Sequence, residues 1–239
     1  MKFYLTDTIY IKDNIYYHEK GNKSFKIKET DWHIHLNDYG WNKLTIQWIK
    51  ILNKLSLNKN KNSLFAVLDC GGDGNCLFNC INYAINGIDQ LLNIDTFRLN
   101  FSESITYDVF SHIIDIYKIS KEYGEFNETW DPFTITFEEF KEKIRIGGDE
   151  YWGDFLILNL LKDYLNINII VLYNNDITNE YYHYPIFFKY DKSLQTMILF
   201  YEDEKHFRLV GKFKGNTMFT VFDHKIIPEE ILRLINEIR

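Results

Sequence analysis

The sequence predicts an α+β fold in which helices pack on a small, mainly antiparallel sheet. Three observations carry this prediction. Apolar and polar residues alternate over residues 1–30, as strands do, while the stretch 94–146 reads as helices. Between them, the apolar run Leu64–Leu68 passes through a glycine-rich turn straight into an amphipathic segment.

Taken in order, Phe3, Leu5, Ile9 and Ile11 alternate with polar neighbours, and Ile15 and Tyr17 precede Gly21-Asn22 with Phe25 and Ile27 after it, which predicts short strands and a hairpin. From Trp41 the period changes. Trp41, Leu44, Trp48, Leu52 and Leu55 share one face of a helix predicted over 41–57. The polar run Asn58–Ser63 has nothing to bury and marks a boundary between an N-terminal accessory segment, 1–60, and a main domain, 61–239. Leu64–Leu68 then reads as a strand, Cys70–Asn75 as a turn, and Leu77, Cys80, Ile81, Ala84 and Ile85 as one face of a helix that Asn86-Gly87 closes with a left-handed cap. Cys76 falls in the first turn of that helix.

The stretch 94–146 predicts helices separated by a polar loop around Gly124–Pro132, with Phe137, Phe140 and Ile144 on the inner face of the last. Trp152-Gly153-Asp154 leads into a helix over Phe155–Leu165 with Asp154 as its cap, and Ile167–Tyr173 is a buried, β-branched strand. Met197–Tyr201, His206–Phe213 and Met218–Phe222 form a meander with turns at Glu202–Lys205 and Lys214–Asn216. Pro228-Glu229-Glu230 opens a terminal helix, since proline suits the first helical position and carboxylates suit the first turn.

Composition narrows the class. A chain of 239 residues with 46% hydrophobic and 26% charged residues buries a core without staples. Its net charge of -7 argues against a protein that works by neutralising phosphates, so nucleic acid is not an expected partner. Met1–Tyr10 lacks the pattern of a secretory signal, and no stretch reaches the roughly 18 apolar residues of a membrane span. A cytoplasmic protein without membrane contact is expected. Cys70, Cys76 and Cys80 are odd in number and crowded, which suits reduced thiols; without a Cys-x-x-Cys pair or a nearby histidine they are not expected to bind metal.

A thiol at the start of a helix lies near unsatisfied backbone N–H groups and the positive end of the macrodipole, both of which favour the thiolate. Glycines 71, 72 and 74 let the preceding backbone turn sharply enough for its N–H groups to converge on an oxyanion beside Cys76. Cys80, by contrast, fits ordinary core packing. The nucleophile needs a base, and seven histidines compete for that role: His18, His33, His35, His112, His183, His206 and His224. Spacing does not choose among them. His206 has an advantage because it stands where an acidic turn enters a strand, and strand ends position side chains better than loops.

Asp73-Gly74-Asn75-Cys76-Leu77-Phe78 resembles the nucleophile motif of the ovarian-tumour (OTU) cysteine proteases. Tyr151-Trp152-Gly153-Asp154 resembles that family's tryptophan–glycine segment, and His206-Phe207 its histidine followed by an aromatic residue, all in the family order. The resemblance covers roughly 64–213, and the wider sequence is similar to copies carried by large DNA viruses. It implies a papain-like fold and a deubiquitinase in which Cys76 attacks the isopeptide carbonyl and His206 carries the proton. Asp73 and the backbone of Gly74, Asn75 and Cys76 would shape the oxyanion hole, while Trp152, Gly153 and Phe207 would line the channel for ubiquitin's glycine-ended tail. By charge and proximity, Asp149, Glu150 and Asp154 would attract the arginines of that tail.

The implied partner is ubiquitin, polyubiquitin or a ubiquitin-like modifier, engaged by a monomer in the cytosol, a host's if the chain is viral. Thiolate, imidazole and backbone amides account for the reaction without a metal or organic cofactor. One departure stands out. Family members often place an Asn, Asp or Glu two residues after the histidine to orient its ring, and here that position is Arg208, which has no acceptor. The third member stays open among Asp73, Thr220, Asp223 and a weakly held dyad. Two rivals follow: a catalytically silent ubiquitin-binding module of the same fold, and a cysteine enzyme acting on another protein.

Overall fold

The alternation of the first thirty residues produces a four-stranded antiparallel sheet in sequential order, β1 (Phe3–Tyr4), β2 (Ile9–Lys12), β3 (Ile15–Lys20) and β4 (Lys23–Lys26). The expected hairpin joins β3 to β4 through Gly21 at φ 60°. A second joins β2 to β3 through Asp13 and Asn14, both at positive φ, a conformation these two residue types tolerate better than most.

The computed structural model describes residues 1–57, 64–87, 91–126, 128–175, 182–187, 189–202 and 206–237. They fall into two units, Met1–Cys70 with Ile167–Arg239, and Gly71–Asn166. The polar run Asn58–Ser63 and most of the Glu202–Lys205 turn lie outside the described residues.

Besides the N-terminal sheet, the first unit holds α1 (Trp32–Leu36), α2 (Ile46–Leu55) and α8 (Glu229–Glu237), together with an eight-stranded sheet. Its strands are β5 (Trp41–Lys43), β6 (Phe65–Leu68), β7 (Asn168–Asn175), β8 (Tyr182–Phe187), β9 (Thr196–Glu202), β10 (His206–Lys214), β11 (Thr217–Phe219) and β12 (Val221–Phe222). The path runs β5-β6-β10-β9-β7-β8, with β11 added to β10 and β12 to β9. Among the described residues the pairings are antiparallel apart from β7 with β9.

The sheet is larger than the small one expected, and two segments account for this. Trp41–Lys43, predicted as the start of a helix, pairs with β6 in the register Trp41↔Leu68, so the helix begins only at Ile46. Trp41 fits the helical stripe and the strand pattern equally well; burial beside β6 decides. The second segment, β8, carries Pro185, which argues against an interior strand but is tolerated at an edge. Trp48 and Leu52 of α2, Ile231 and Ile235 of α8, and Val67, Ile170, Ile198, Phe200 and Val210 of the sheet form one apolar core. Full burial of each such aliphatic or phenyl group contributes about 1.5–3 kcal/mol before entropy is counted.

The second unit is helical: α3 (Cys76–Asn86), α4 (Ile94–Ser104), α5 (Tyr107–Glu122), α6 (Phe137–Ile146) and α7 (Phe155–Leu165). Side chains cap most of these helices. Asn93 accepts from the N–H groups of Asp95 and Thr96, Thr106 from Val109, and Thr136 and Glu139 make a reciprocal capping box. Gly87 ends α3 at φ 70° and ψ 168°, so the predicted left-handed cap is replaced by another glycine-favouring conformation. Phe140 and Ile144 are buried on the inner face of α6, as expected. Among the described residues no helix is long and apolar enough to cross a membrane.

Candidate active site

Cys76 is the first residue of α3, half-buried, with Asn75 at the cap. The Asn79 N–H closes the first turn on the Asn75 carbonyl at 2.8 Å, while the earliest N–H groups of a helix have no carbonyl within it to bond. The approach to the thiol depends on glycine. Gly71 and Gly74 lie at φ 116° and 78°, and a Cβ on Gly74 would collide with the backbone of Gly148. Asp73 is exposed beside this turn. Cys80, one helical turn on, is buried, in keeping with its reading as core.

The tryptophan–glycine segment meets the same helix. A Cβ on Gly153 would strike the Leu77 side chain, so glycine lets this backbone lie against the residue that follows Cys76. Trp152 is 44% exposed, a large indole left at the surface. Asp154 caps α7 as predicted, its Oδ1 accepting from the Ile157 N–H at 2.9 Å. Its Oδ2 accepts from the Tyr117 hydroxyl at 2.6 Å, and that hydroxyl lies 2.5 Å from the hydroxyl of Tyr151. Burial holds the Asp154 carboxyl above its usual range. With both oxygens engaged internally, Asp154 is a structural cap rather than a lure for cationic groups. Glu150 pairs with Lys143 and remains about half-exposed, while the Asp149 side chain lies outside the described residues.

His206 opens β10, and the alternation of that strand sorts its neighbours. His206 and Arg208 share the half-exposed face, whereas Phe207 and Leu209 point into the core. Phe207, expected along the substrate channel, is 1% exposed and packs on Tyr201 with ring centroids 4.4 Å apart; it anchors the strand and is not a substrate contact. The His206 Nε2 lies 3.0 Å from Asp69 Oδ1. An ionised carboxylate only accepts, so Nε2 is the donor of this pair, and in the neutral imidazole Nδ1 keeps its lone pair.

Asp69 is the acceptor that Arg208 does not provide, and the sequence reading missed it. The register explains its place: Leu68 pairs with Leu209, so extending β6 by one residue sets Asp69 opposite Arg208 and diagonal to His206 on the same face. Alternation within β10, combined with a β6–β10 pairing, is the signal that finds it. Arg208 joins the cluster from the other side, with Nη2 at 3.2 Å from Glu202 and Nε at 3.9 Å from Asp69 Oδ2. Asp223, one of the earlier candidates, instead accepts from the N–H groups of Lys225 and Ile226.

No protein-family model and no curated protein matches the chain. Among solved structures it is similar to an ovarian tumor (OTU) domain in complex with ubiquitin, at 20% identity over 72% of this chain and 81% of that one, with a TM-score of 0.44. It is similar to the viral OTU domain protease from Farallon virus, at 18% identity over 62% and 85% of the two chains and a TM-score of 0.40. It is also similar to the OTUD1 OTU domain, at 15% identity over 70% and 94% and a TM-score of 0.44. All three are OTU domains. The likeness is loose at these TM-scores, so any functional reading stands on the chain's own residues.

Proposed function

We propose that the chain is a cysteine-dependent deubiquitinase of the OTU type, hydrolysing isopeptide bonds between the C-terminus of ubiquitin, or of a ubiquitin-like modifier, and lysine. The observation that carries this reading is the hydrogen bond between His206 and Asp69, 3.0 Å long. It gives the imidazole an orienting carboxylate despite Arg208, and so speaks against the catalytically silent module, whose case rested on that missing partner. The motif around Cys76 supplies the other half.

In the proposed reaction His206 Nδ1 takes the Cys76 proton, and the thiolate attacks the isopeptide carbonyl, forming the C–S bond. The oxyanion is held by backbone N–H groups of the turn at Gly74, Asn75 and Cys76. As it collapses the C–N bond breaks, and the imidazolium returns its proton to the leaving lysine amine. Water, deprotonated by His206, then attacks the thioester and releases the carboxylate and the thiol. Asp69 is the third member of this constellation. Trp152 and Gly153 wall the channel for a glycine-ended tail, and Glu150 supplies the surface carboxylate for its arginines. Within residues 1–60, expected as an accessory segment, Trp41–Lys43 and Ile46–Leu55 build the same sheet and core as Phe65–Leu68 and Val210, so the accessory role falls to the N-terminal sheet, β1–β4.

Polyubiquitin of each linkage type, incubated with wild type, Cys76→Ala and His206→Ala, tests this. Wild type is expected to release ubiquitin and both variants to release none. A wild type that leaves all linkages and a fluorogenic ubiquitin amide intact overturns the reading; cleavage of other modifiers but not ubiquitin favours the second rival.

A further inference from the structure

Arg98, on α4, is 0% exposed, and its guanidinium is divided among four oxygens. Nε donates to Asn75 Oδ1 at 2.7 Å, Nη1 to the Ile144 carbonyl at 2.8 Å, and Nη2 to the carbonyls of Gly74 at 3.1 Å and Tyr151 at 3.5 Å. Its Cζ lies 3.8 Å from the centroid of the Phe78 ring. Gly147, at φ 66°, makes room, since a Cβ there would collide with the guanidinium. Burial draws the Arg98 pKa down to about 10, while Tyr151, Cys76 and Asp73 pull it back up, so the group stays charged at neutral pH.

Burying an arginine is costly, and an apolar residue of similar volume often serves stability as well or better. What the arginine adds here is geometry. Two of its four acceptors belong to the residues immediately before Cys76. In a trans peptide the C=O and N–H point in opposite directions, and the described chain contains no cis bonds. Drawing the Gly74 carbonyl inward onto Arg98 therefore turns the Asn75 N–H away from the buried guanidinium. Gly74, lacking a Cβ and held at φ 78°, has little of its own to stop this peptide from flipping.

We propose that Arg98 is a positioning residue for acyl transfer: by gripping the Gly74 carbonyl and the Asn75 side chain from the buried side, it fixes the Gly74–Asn75 peptide with its N–H presented as a donor to the oxyanion formed at Cys76. This rests on the deubiquitinase reading above. It differs from a purely structural bolt between α4 and α6, which would govern stability and leave the turnover of each folded molecule unchanged.

Arg98→Gln and Arg98→Lys, each confirmed folded by circular dichroism at the assay temperature, separate the two roles through a pair of reactions at Cys76. Hydrolysis of a fluorogenic ubiquitin C-terminal amide passes through a tetrahedral oxyanion, whereas alkylation by iodoacetamide forms the S–C bond and expels iodide without one. For Arg98→Gln, kcat is expected to fall on the order of 10²-fold, with KM and the alkylation rate within about threefold of wild type. Arg98→Lys keeps the charge but not the fork, and is expected to recover part of the loss, to about tenfold below wild type. An unchanged kcat in folded Arg98→Gln, or alkylation that falls in parallel with hydrolysis, overturns the proposal. Should Arg98→Gln not fold, an unchanged kcat in Arg98→Lys does so. Wild type inactive on ubiquitin overturns the deubiquitinase reading and this role with it, whereas active wild type with equally active variants overturns the positioning role alone.

Discussion

Around Cys76, a buried guanidinium grips Gly74 and Asn75 among packed rings, and two glycines are fixed by the backbone and side chains that abut them. Around His206, one hydrogen bond joins an imidazole 22% exposed to a carboxylate 54% exposed. The Cys76 turn is thus held from the interior, while the described hydrogen bond between His206 and Asp69 lies near the surface. Substitutions behind Cys76 are expected to act through the packed interior, while those at Asp69 are expected to act on the imidazole it meets and to leave the fold alone.

The largest effects are expected at the two groups proposed to exchange the proton. Cys76→Ala and His206→Ala are each expected to lower kcat by on the order of 10⁶-fold, to the limit of detection, with the double variant no worse than either because the two act as a unit. Additive losses in a sensitive single-turnover assay would break that account. Asp69→Ala is expected to lower kcat by about 10²-fold, a share of what general acid–base catalysis supplies, while the urea midpoint stays put as for other exposed positions. Asp69→Asn, which keeps an acceptor oxygen, should lose less. Full activity in Asp69→Ala would mean that His206 is oriented by another group.

Smaller effects are expected inside the helical unit. Tyr117→Phe removes the hydroxyl shared by Tyr151 and Asp154, and is expected to cost about 1–3 kcal/mol in urea unfolding with kcat little changed. The smallest effect is a pH dependence. Burial, reinforced by the charge of Asp154, holds the Glu128 carboxyl up to about 7. Between its unfolded value near 4.5 and about 7 the folded state binds the extra proton, so stability falls as pH rises through that window. Glu128→Gln is expected to flatten the decline of the urea midpoint between about pH 5 and pH 8; an unaltered slope would place the titrating group elsewhere.

The same contrast decided what could be read in the sequence. The Cys76 turn was legible because its glycines and the apolar helix after it are local features, and so was the Asp154 cap. Arg98 was not, because an arginine within Ile94–Ser104 reads as a solvent-facing residue on an amphipathic helix until tertiary contacts show it buried. Asp69 falls between the strand read over Leu64–Leu68 and the turn read over Cys70–Asn75 and is assigned to neither; its meaning depends on the β6–β10 register, which no local pattern fixes. Phe207 was misplaced for a related reason: adjacency to His206 in sequence puts it on the opposite face of a strand. Trp41–Lys43 showed the limit of periodicity itself, since three residues satisfy either period.

The central claim is that Cys76 is a nucleophile served by His206. A ubiquitin carrying a thiol-reactive electrophile at its C-terminus measures this in one step, by intact mass and peptide mapping. Wild type is expected to gain one ubiquitin on Cys76, with no adduct on Cys70 or Cys80, and His206→Ala is expected to react far more slowly. A wild type that binds the probe without forming a bond, or labels another cysteine instead, would contradict the account.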